Sequence, residues 1–236
     1  MTEPAPGKSD LGVRVLSAVA MVAVAGAALW FRGYAWTAFV VAIGLGVFWE
    51  WSQLCTRFAR TPITRAIWLI GGAIYIGLAA GMLIYMNSTR FAERSTVLLP
   101  ICAVIATDIG AYFAGRTFGG PKIAPKISPS KTWAGLFGGA LGASAVIMLI
   151  GGGHDSGDFP SLWAAALAVM AGVLLAIVAQ TGDFFESWMK RRAGVKDSGN
   201  VLPGHGGLFD RVDGLVAVMA VGGFLLIADS LFSGLP

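Results

Sequence analysis

The stretch S-L-W-A-A-A-L-A-V-M-A-G-V-L-L-A-I-V-A-Q-T, residues 161–181, contains 21 residues and no charged side chain. About 20 predominantly apolar residues are enough to cross the hydrocarbon core of a bilayer as one helix. This stretch therefore predicts a transmembrane helix, and the same test can be applied to the rest of the chain.

Six further apolar segments of about 20 residues alternate with short charged clusters. They are residues 11–30, 35–54, 66–86, 96–115, 132–150 and 208–231. The chain is 56% hydrophobic and 13% charged, whereas a soluble domain carries about 25% charged residues. We expect an all-α, polytopic transmembrane bundle of about seven spans, with seven to nine allowed.

The alternation of spans and loops also predicts how the chain is organised. We expect one integral membrane domain over residues 1–236, with N-terminal spans in 1–54. We also expect the core that would carry any catalytic residues to span 96–236, with cytoplasmic loops at 115–131 and 183–207. Two cysteines in 236 residues supply neither a disulfide framework nor a zinc site.

Lysine and arginine are distributed unequally between the two sides of the predicted bundle. Fourteen of the 17 fall on the side of the amino terminus, and only Arg32, Arg90 and Arg94 fall on the other. Cytoplasmic loops carry this excess, so the amino terminus is expected in the cytoplasm. The same rule accounts for the net charge of +4 without a nucleic-acid partner.

Glycines recur at helical spacing in the third and fifth predicted spans. Small residues let membrane helices approach closely, so both sets predict helix contacts. The sets are Gly71, Gly72, Gly77 and Gly81 in the third span, and Gly135, Gly138, Gly139 and Gly142 in the fifth.

The first segment with chemical interest is T-D-I-G-A-Y-F-A-G-R, residues 107–116, at the end of the fourth span. Asp108, Tyr112 and Gly115 share one helical face by their spacing. A carboxylate in a span is costly and is a functional candidate by default. The alternative is a structural ion pair between Asp108 and Arg116 or a loop lysine.

The second segment, residues 119–135, reads G-G-P-K-I-A-P-K-I-S-P-S-K-T-W-A-G, and its three prolines exclude a continuous helix. Its lysines and hydroxyl groups come just before a predicted helix N-terminus. These groups and the helix N-terminus together suit the binding of a phosphate. The candidates are Ser128, Ser130, Lys131 and Thr132, and Ser130 or Thr132 is suited to cap the helix. The alternative is an ordinary basic loop on the cytoplasmic side.

The third segment, residues 180–214, holds carboxylates on two helices. Asp183, Glu186 and Lys190 share one helical face, and Asp210 and Asp213 share another near the start of the last span. The intervening P-G-H-G-G at residues 203–207 predicts a sharp turn.

Carboxylate oxygens from two helices suit Mg²⁺, which keeps coordination sites for water and substrate phosphate. A nucleoside triphosphate is the natural partner of such a site, because metal and basic side chains together neutralise its oxygens. The phosphate-binding pattern G-x-x-x-x-G-K-[ST] does not occur in the sequence, which excludes a P-loop enzyme.

Residues 187–213, S-W-M-K-R-R-A-G-V-K-D-S-G-N-V-L-P-G-H-G-G-L-F-D-R-V-D, resemble the signature of the phosphatidate cytidylyltransferases. Two upstream segments, D-I-G-A-Y-F-A-G-R and I-S-P-S-K-T-W-A-G, resemble the same family, as does Glu50 in F-W-E-W. The resemblance covers the chain from about residue 49 onward.

This resemblance implies that an oxygen of phosphatidate attacks the α-phosphorus of CTP in a Mg²⁺-dependent reaction. The products would be CDP-diacylglycerol and pyrophosphate. It further implies a metal centre at Asp183 and Asp210, and a second cation such as K⁺.

The resemblance carries over Lys190, Arg191, Lys196, Asp197, His205, Arg211 and Asp213 as signature positions. With the metal centre, we expect the catalytic residues to be Asp183, Asp210, Asp213 and Lys190. Our hypothesis is that the cations bind phosphates of CTP or of the lipid, and the expected substrate-binding residues are Asp108, Ser128, Ser130, Lys131, Thr132, Arg191, Lys196, Asp197, His205 and Arg211. A homodimer is implied by the resemblance only. We expect a multi-pass location in a bacterial-type inner (plasma) membrane, and the distribution of lysine and arginine predicts that the active site faces the cytoplasm.

Three alternatives compete with this assignment. A CTP-dependent polyprenol or phytol kinase would share the bundle and the metal, but would leave CDP and a phospholipid. A CDP-alcohol phosphotransferase is disfavoured because its D-G-x-x-A-R pattern is absent from the sequence. An ion transporter would use Asp108, Asp183 and Asp213, but it would favour carboxylates distributed along the membrane depth.

Overall fold

The computed structural model of the protein describes residues 8–88, 95–151, 161–202 and 206–233. These ranges form seven helices and one short hairpin. In chain order the elements are α1 (Lys8–Phe31), α2 (Gly33–Phe58), α3 (Pro62–Met86), α4 (Ser95–Thr117), β1 (Lys122–Ala124), β2 (Ser128–Thr132), α5 (Trp133–Gly151), α6 (Leu162–Ala193) and α7 (Phe209–Phe232).

Each predicted span corresponds to one helix, although the bounds differ. Within the described ranges, six helices, α2 to α7, are long and apolar enough to cross a membrane, while the apolar part of α1, Val15–Phe31, is shorter. Large apolar side chains such as Phe137, Leu174 and Phe224 are exposed on the bundle surface. Lipid provides the apolar surroundings that such a surface needs. The expected all-α, polytopic membrane bundle is confirmed.

Helix α6 extends well beyond the predicted span. It continues to Ala193 and ends at Gly194, which has a left-handed φ of 70°. The predicted loop over residues 183–207 therefore begins about ten residues too early. Hydropathy falls at Asp183, but hydropathy reports contact with lipid rather than helicity. Three basic residues in the last turn also favour helix there, because they oppose the negative end of its dipole.

The predicted loop over residues 115–131 also contains regular structure. α4 continues to Thr117, and β1 and β2 form an antiparallel hairpin in which Lys122 pairs with Thr132 and Ala124 with Ser128. The Thr132 hydroxyl accepts a 3.0 Å hydrogen bond from the backbone N–H of Gly135. Thr132 thus caps the start of α5, as the sequence suggested, and the hairpin leads directly into a membrane helix.

Glycines in α5 allow this helix to lie directly against α4. A Cβ atom at Gly138 would lie 2.3 Å from Cβ of Ala114 and 2.5 Å from the carbonyl oxygen of Gly110. A Cβ atom at Gly142 would lie 2.5 Å from the carbonyl oxygen of Ala106. The predicted close contact of the fifth span is confirmed.

The glycine prediction for α3 is largely wrong. Gly72 is packed, since a Cβ atom there would lie 2.3 Å from the indole nitrogen of Trp51. A Cβ atom at Gly71, Gly77 or Gly81 would have no neighbour within 4 Å among the described residues, so these three glycines mark no close helix contact there. Spacing alone did not distinguish the packed face of α3 from its outer face.

Aromatic side chains join four helices at the end of the bundle where α6 ends and α7 begins. The Trp51 ring lies 5.7 Å from that of Phe185 and 5.9 Å from that of Phe209. Its indole N–H donates a 2.9 Å hydrogen bond to the carbonyl oxygen of Trp68. The Trp68 ring in turn lies 5.7 Å from Trp188. This packing fixes α2, α3, α6 and α7 around the polar residues described next.

Candidate active site

Four residues from four elements form one charged group, here called the Asp183 cluster: Asp108, Lys131, Asp183 and Asp213. Lys131, at the end of the hairpin, forms an ion pair with Asp183 on α6. Asp213 on α7 interacts electrostatically with Asp183, Asp108 and Lys131. The cluster thus contains three carboxylates and one ammonium group, which gives it a net negative formal charge.

A glycine in α6 brings α7 close enough to join this cluster. A Cβ atom at Gly182 would lie 2.5 Å from Cβ of Ala217 and 2.7 Å from the carbonyl oxygen of Asp213. Any side chain at this position would push the two helices apart. The glycine that precedes Asp183 therefore sets the distance between Asp183 and Asp213.

A second charged group, here called the Asp210 cluster, consists of Glu186, Lys190 and Asp210. The Lys190 ammonium lies 2.5 Å from Oε2 of Glu186 and 2.5 Å from Oδ1 of Asp210. Glu186 is 1% exposed. Its Oε1 has no hydrogen-bond partner within the described part of the chain.

The other oxygen of Asp210 organises the turn between α6 and α7. Oδ2 accepts a hydrogen bond of 2.9 Å from the backbone N–H of Ser198 and lies 3.0 Å from the hydroxyl oxygen of the same residue. It accepts a second hydrogen bond, of 3.0 Å, from the backbone N–H of Gly207. Asp210 therefore links Lys190 on α6 to Ser198 and Gly207, two described residues of the segment between α6 and α7.

The two clusters are neighbours along α6. Asp183 and Glu186 are three residues apart, which is a rise of about 4.5 Å along the helix. Asp183 and Asp210, the residues expected to share a metal, belong to different clusters. Each of them forms an ion pair with a different lysine, Asp183 with Lys131 and Asp210 with Lys190, which Asp210 shares with Glu186.

Glu50 on α2 is fully buried beneath the turn. Its carboxylate accepts hydrogen bonds from the Ser198 hydroxyl at 2.7 Å and from the backbone N–H groups of Leu208 and Phe209, both at 2.8 Å. The latter two groups lie at the N-terminus of α7, where a negative charge is favoured by the helix dipole. Glu50 therefore positions both the turn and the helix that carries Asp210 and Asp213.

The profile of the cytidylyltransferase family matches residues 58–228 of this chain. The chain belongs to the cytidylyltransferase family. The phosphatidate cytidylyltransferase of Brucella suis biovar 1 (strain 1330) is 36% identical, over 90% of this chain and 92% of that protein. The phosphatidate cytidylyltransferase of Rickettsia typhi (strain ATCC VR-144 / Wilmington) is 32% identical, over 92% of each. The family resemblance found in the sequence is confirmed, and the chain is a nucleotidyltransferase.

This cytidylyltransferase places its sequence-predicted site residues in three environments. The two clusters contain Asp108, Lys131, Asp183, Asp213, Lys190 and Asp210. Ser128 and Thr132 are buried in the hairpin, whereas Ser130, Arg191, Lys196, Asp197 and Arg211 are exposed. His205 lies outside the described residues.

The alternative interpretation of Asp108 was an ion pair with Arg116 or with a loop lysine. The structure does not show the pair with Arg116, which instead donates a 2.9 Å hydrogen bond to the hydroxyl of Tyr112, one turn earlier on α4. The loop lysine Lys131 does interact electrostatically with Asp108, but its ion pair is with Asp183. Asp108 is therefore part of the charged cluster.

Three residues of the site were not assigned roles from the sequence. Glu50 and Glu186 could have been found as carboxylates in or beside apolar segments, which is a strong signal. Gln180 is 4% exposed, and neither atom of its amide group has a hydrogen-bond partner among the described residues. It lies one turn before Asp183, and its signal was a polar side chain in an otherwise apolar run.

Proposed function

We propose that this cytidylyltransferase transfers a cytidylyl group from CTP to phosphatidate. A phosphate oxygen of phosphatidate would form a bond to the α-phosphorus of CTP, and the bond to the β-phosphate would break. The products would be CDP-diacylglycerol and pyrophosphate. The single observation that supports this best is the pair of carboxylate clusters, each with one lysine, which lie one helical turn apart at one end of a membrane bundle.

The residues present fit Mg²⁺, the metal that the sequence led us to expect. No set of three His, Cys, Asp or Glu side chains in the described ranges is arranged to hold a metal by itself. Mg²⁺ is commonly held by only one or two carboxylates, with waters and substrate phosphates completing its coordination. The Lys131 and Lys190 ammonium groups already show that both carboxylate clusters accept positive charge.

Asp183 and Asp210 would hold this metal, and K⁺ is a candidate for a second cation. When bound, Mg²⁺ supplies charge that neutralises the phosphate oxygens and orients them for in-line attack. Lys131 and Lys190 each form an ion pair with one of the proposed ligands in the structure. If Mg²⁺ took the place of either lysine beside its carboxylate, the ammonium group of that lysine would be able to bind a phosphate oxygen of CTP or phosphatidate.

Buried supports hold these groups in position. Glu50 and Ser198 fix the turn, and Ser198 and Gly207 fix Asp210. Catalysis by positioning depends on such preorganisation, because a small displacement of a reacting group lowers the rate strongly. We assign Glu50 and Ser198 as positioning residues.

The proposal includes a location and an assembly. The end of the bundle with both clusters is also the end with most of the lysines and arginines, so it would face the cytoplasm. CTP, a soluble nucleotide, could then reach the site directly. We further propose a bacterial inner membrane as the location and a homodimer as the assembly.

Purified protein with Mg²⁺, phosphatidate and CTP labelled at either the α- or the γ-phosphate tests the reaction. We expect label in the lipid only from α-labelled CTP, and label in pyrophosphate from γ-labelled CTP. Lipid labelled from the γ-phosphate would instead show a lipid kinase and would reject the proposal.

Two conservative variants test the residues. Loss of about 3 kcal/mol of transition-state stabilisation by the metal corresponds to a rate about 100-fold lower. We expect a loss of at least this size for Asp183→Asn and for Asp210→Asn. Asp229→Asn, near the opposite end of α7, is the matched control. Near-normal turnover of either test variant would reject the metal assignment.

A further inference from the structure

A second polar site opens at the same end of the bundle, between the C-terminal ends of α2 and α6 and the N-terminus of α3. It is a cleft of about 530 Å³ whose lining includes Arg57, Arg60, Thr61, Trp68 and Arg192. We call it the arginine cleft. None of these residues belongs to either carboxylate cluster.

The cleft carries positive charge that the described chain does not neutralise. No carboxylate of the described residues forms an ion pair with Arg57, Arg60 or Arg192. Arg192 lies over the ring of Trp188, with its guanidinium carbon 5.3 Å from the ring centroid. Three guanidinium groups around one cavity favour a multiply charged oxyanion, because arginine binds phosphate through two parallel hydrogen bonds.

The N-terminus of α3 adds to this preference. Thr61 caps the helix, and its hydroxyl accepts a hydrogen bond from the backbone N–H of Thr64 at 3.2 Å. Both threonines line the cleft. The positive end of the α3 dipole therefore lies at the same cavity as the arginines.

The geometry of α6 separates the arginine cleft from the carboxylate clusters. Phe185, Trp188 and Arg192 follow one another at three- and four-residue spacing, as do Asp183, Glu186 and Lys190. The two series are offset by two residues, which is about 200° around the helix. The cleft therefore lies on the opposite face of α6 from the clusters.

A largely apolar groove continues from the arginine cleft along α3. It has a volume of about 340 Å³, shares Ala59, Arg60 and Thr61 with the cleft, and is otherwise lined by Pro62, Arg65, Ala66 and Leu69. Beside it, Ile63 and Ile67 are exposed on the outer face of α3. A cationic cavity thus joins an apolar surface at the boundary of a membrane helix.

We propose that the arginine cleft binds the phosphate of an anionic phospholipid, with an acyl chain of that lipid along the groove on α3. The occupant is identified by the combination of charges and apolar surface. A soluble phosphate would use only the arginines, whereas a lipid uses the groove as well. The site is distinct from the proposed catalytic site and does not depend on the reaction proposed for it.

The test is native mass spectrometry of the purified full-length protein in detergent, titrated with dioleoyl phosphatidylglycerol or dioleoyl phosphatidylcholine. We expect selective retention of phosphatidylglycerol, and a decrease of about tenfold in its affinity for Arg60→Gln. Arg60→Lys should lose less, because it keeps the charge but not the paired hydrogen bonds. Arg192→Gln, in the same cleft, provides a second variant if Arg60→Gln does not fold.

The matched control is Arg116→Gln, which removes an arginine at the end of α4 outside the cleft, and its affinity should equal that of the wild type. Equal affinity of Arg60→Gln, Arg192→Gln and the wild type would overturn the proposal. Equal retention of the two lipids would overturn it as well. Affinity for inorganic phosphate equal to that for phosphatidylglycerol would show that the groove contributes nothing and that the cleft is a site for soluble anions, which would reject the lipid.

Discussion

Glu50→Gln tests the support beneath the candidate site with almost no change in volume. Both oxygens of Glu50 accept hydrogen bonds: Oε1 from Leu208, and Oε2 from Phe209 and Ser198. Glutamine offers one oxygen and one NH₂ group. If its oxygen replaces Oε2, the NH₂ group faces the backbone N–H of Leu208, so one donor is left unpaired.

The magnitude follows from these contacts. One lost hydrogen bond to a charged acceptor costs about 1.5–3 kcal/mol, and the lost charge at the N-terminus of α7 costs about 0.3–1 kcal/mol. Removal of a buried charge also relieves part of its desolvation cost. We therefore expect a net local destabilisation of about 1–3 kcal/mol.

Hydrogen–deuterium exchange of the peptide that contains residues 206–212 measures this effect. For local opening, about 1–3 kcal/mol corresponds to exchange that is roughly 5- to 150-fold faster. Gln53→Ala, at an exposed position three residues later on α2, is the control and should exchange as the wild type does. Unchanged exchange in Glu50→Gln would refute the role assigned to Glu50.

Further predictions concern the lysines, the helix contacts and the metal. Lys131→Ala should raise KM for CTP or phosphatidate about tenfold, with a smaller effect on kcat. Steady-state kinetics with each substrate varied in turn measures both constants. Unchanged constants would show that the hairpin has only a structural role. Gly138→Ala should lower the free energy of unfolding by about 1–3 kcal/mol, because its new methyl group would collide with Ala114. Gly77→Ala, whose new methyl group meets no neighbour among the described residues, should not lower it. Equal melting temperatures for the two variants would contradict the packing of α5 against α4. Chelation of divalent metal should abolish label transfer and Mg²⁺ should restore it, while activity that persists in a chelator would exclude the metal.

Hydrophobic patterning was sufficient to predict the helices, because a span must present about 20 apolar residues to lipid. It did not predict the end of α6, where the helix leaves the apolar pattern but continues to Gly194. It also did not predict the hairpin at residues 122–132, whose two strands pair only with each other among the described residues. Short strands of this kind depend on local geometry more than on patterning.

The sequence predicted residues of the candidate site, but it did not predict which of them contact one another. Spacing along α6 and α7 identified Asp183 and Asp210, since each helix determines which of its own residues share a face. It could not determine which lysine meets which carboxylate, because Lys131 comes from a different element. The role of Glu50 required knowledge of contacts between residues about 150 positions apart. The arginine cleft was missed for the same reason, since Arg57 and Arg192 meet only in the folded bundle.

Metal rescue tests most directly the claim that Asp183 and Asp210 serve one metal, although each is paired with its own lysine in the structure. The measurement is transfer of α-labelled CTP to phosphatidate by Asp183→Cys and by Asp210→Cys, with Mg²⁺ alone and with added Cd²⁺, which prefers thiolate ligands. We predict that both variants are inactive with Mg²⁺ alone and that Cd²⁺ restores activity in both. Failure of Cd²⁺ to rescue one variant while it rescues the other would contradict a shared metal.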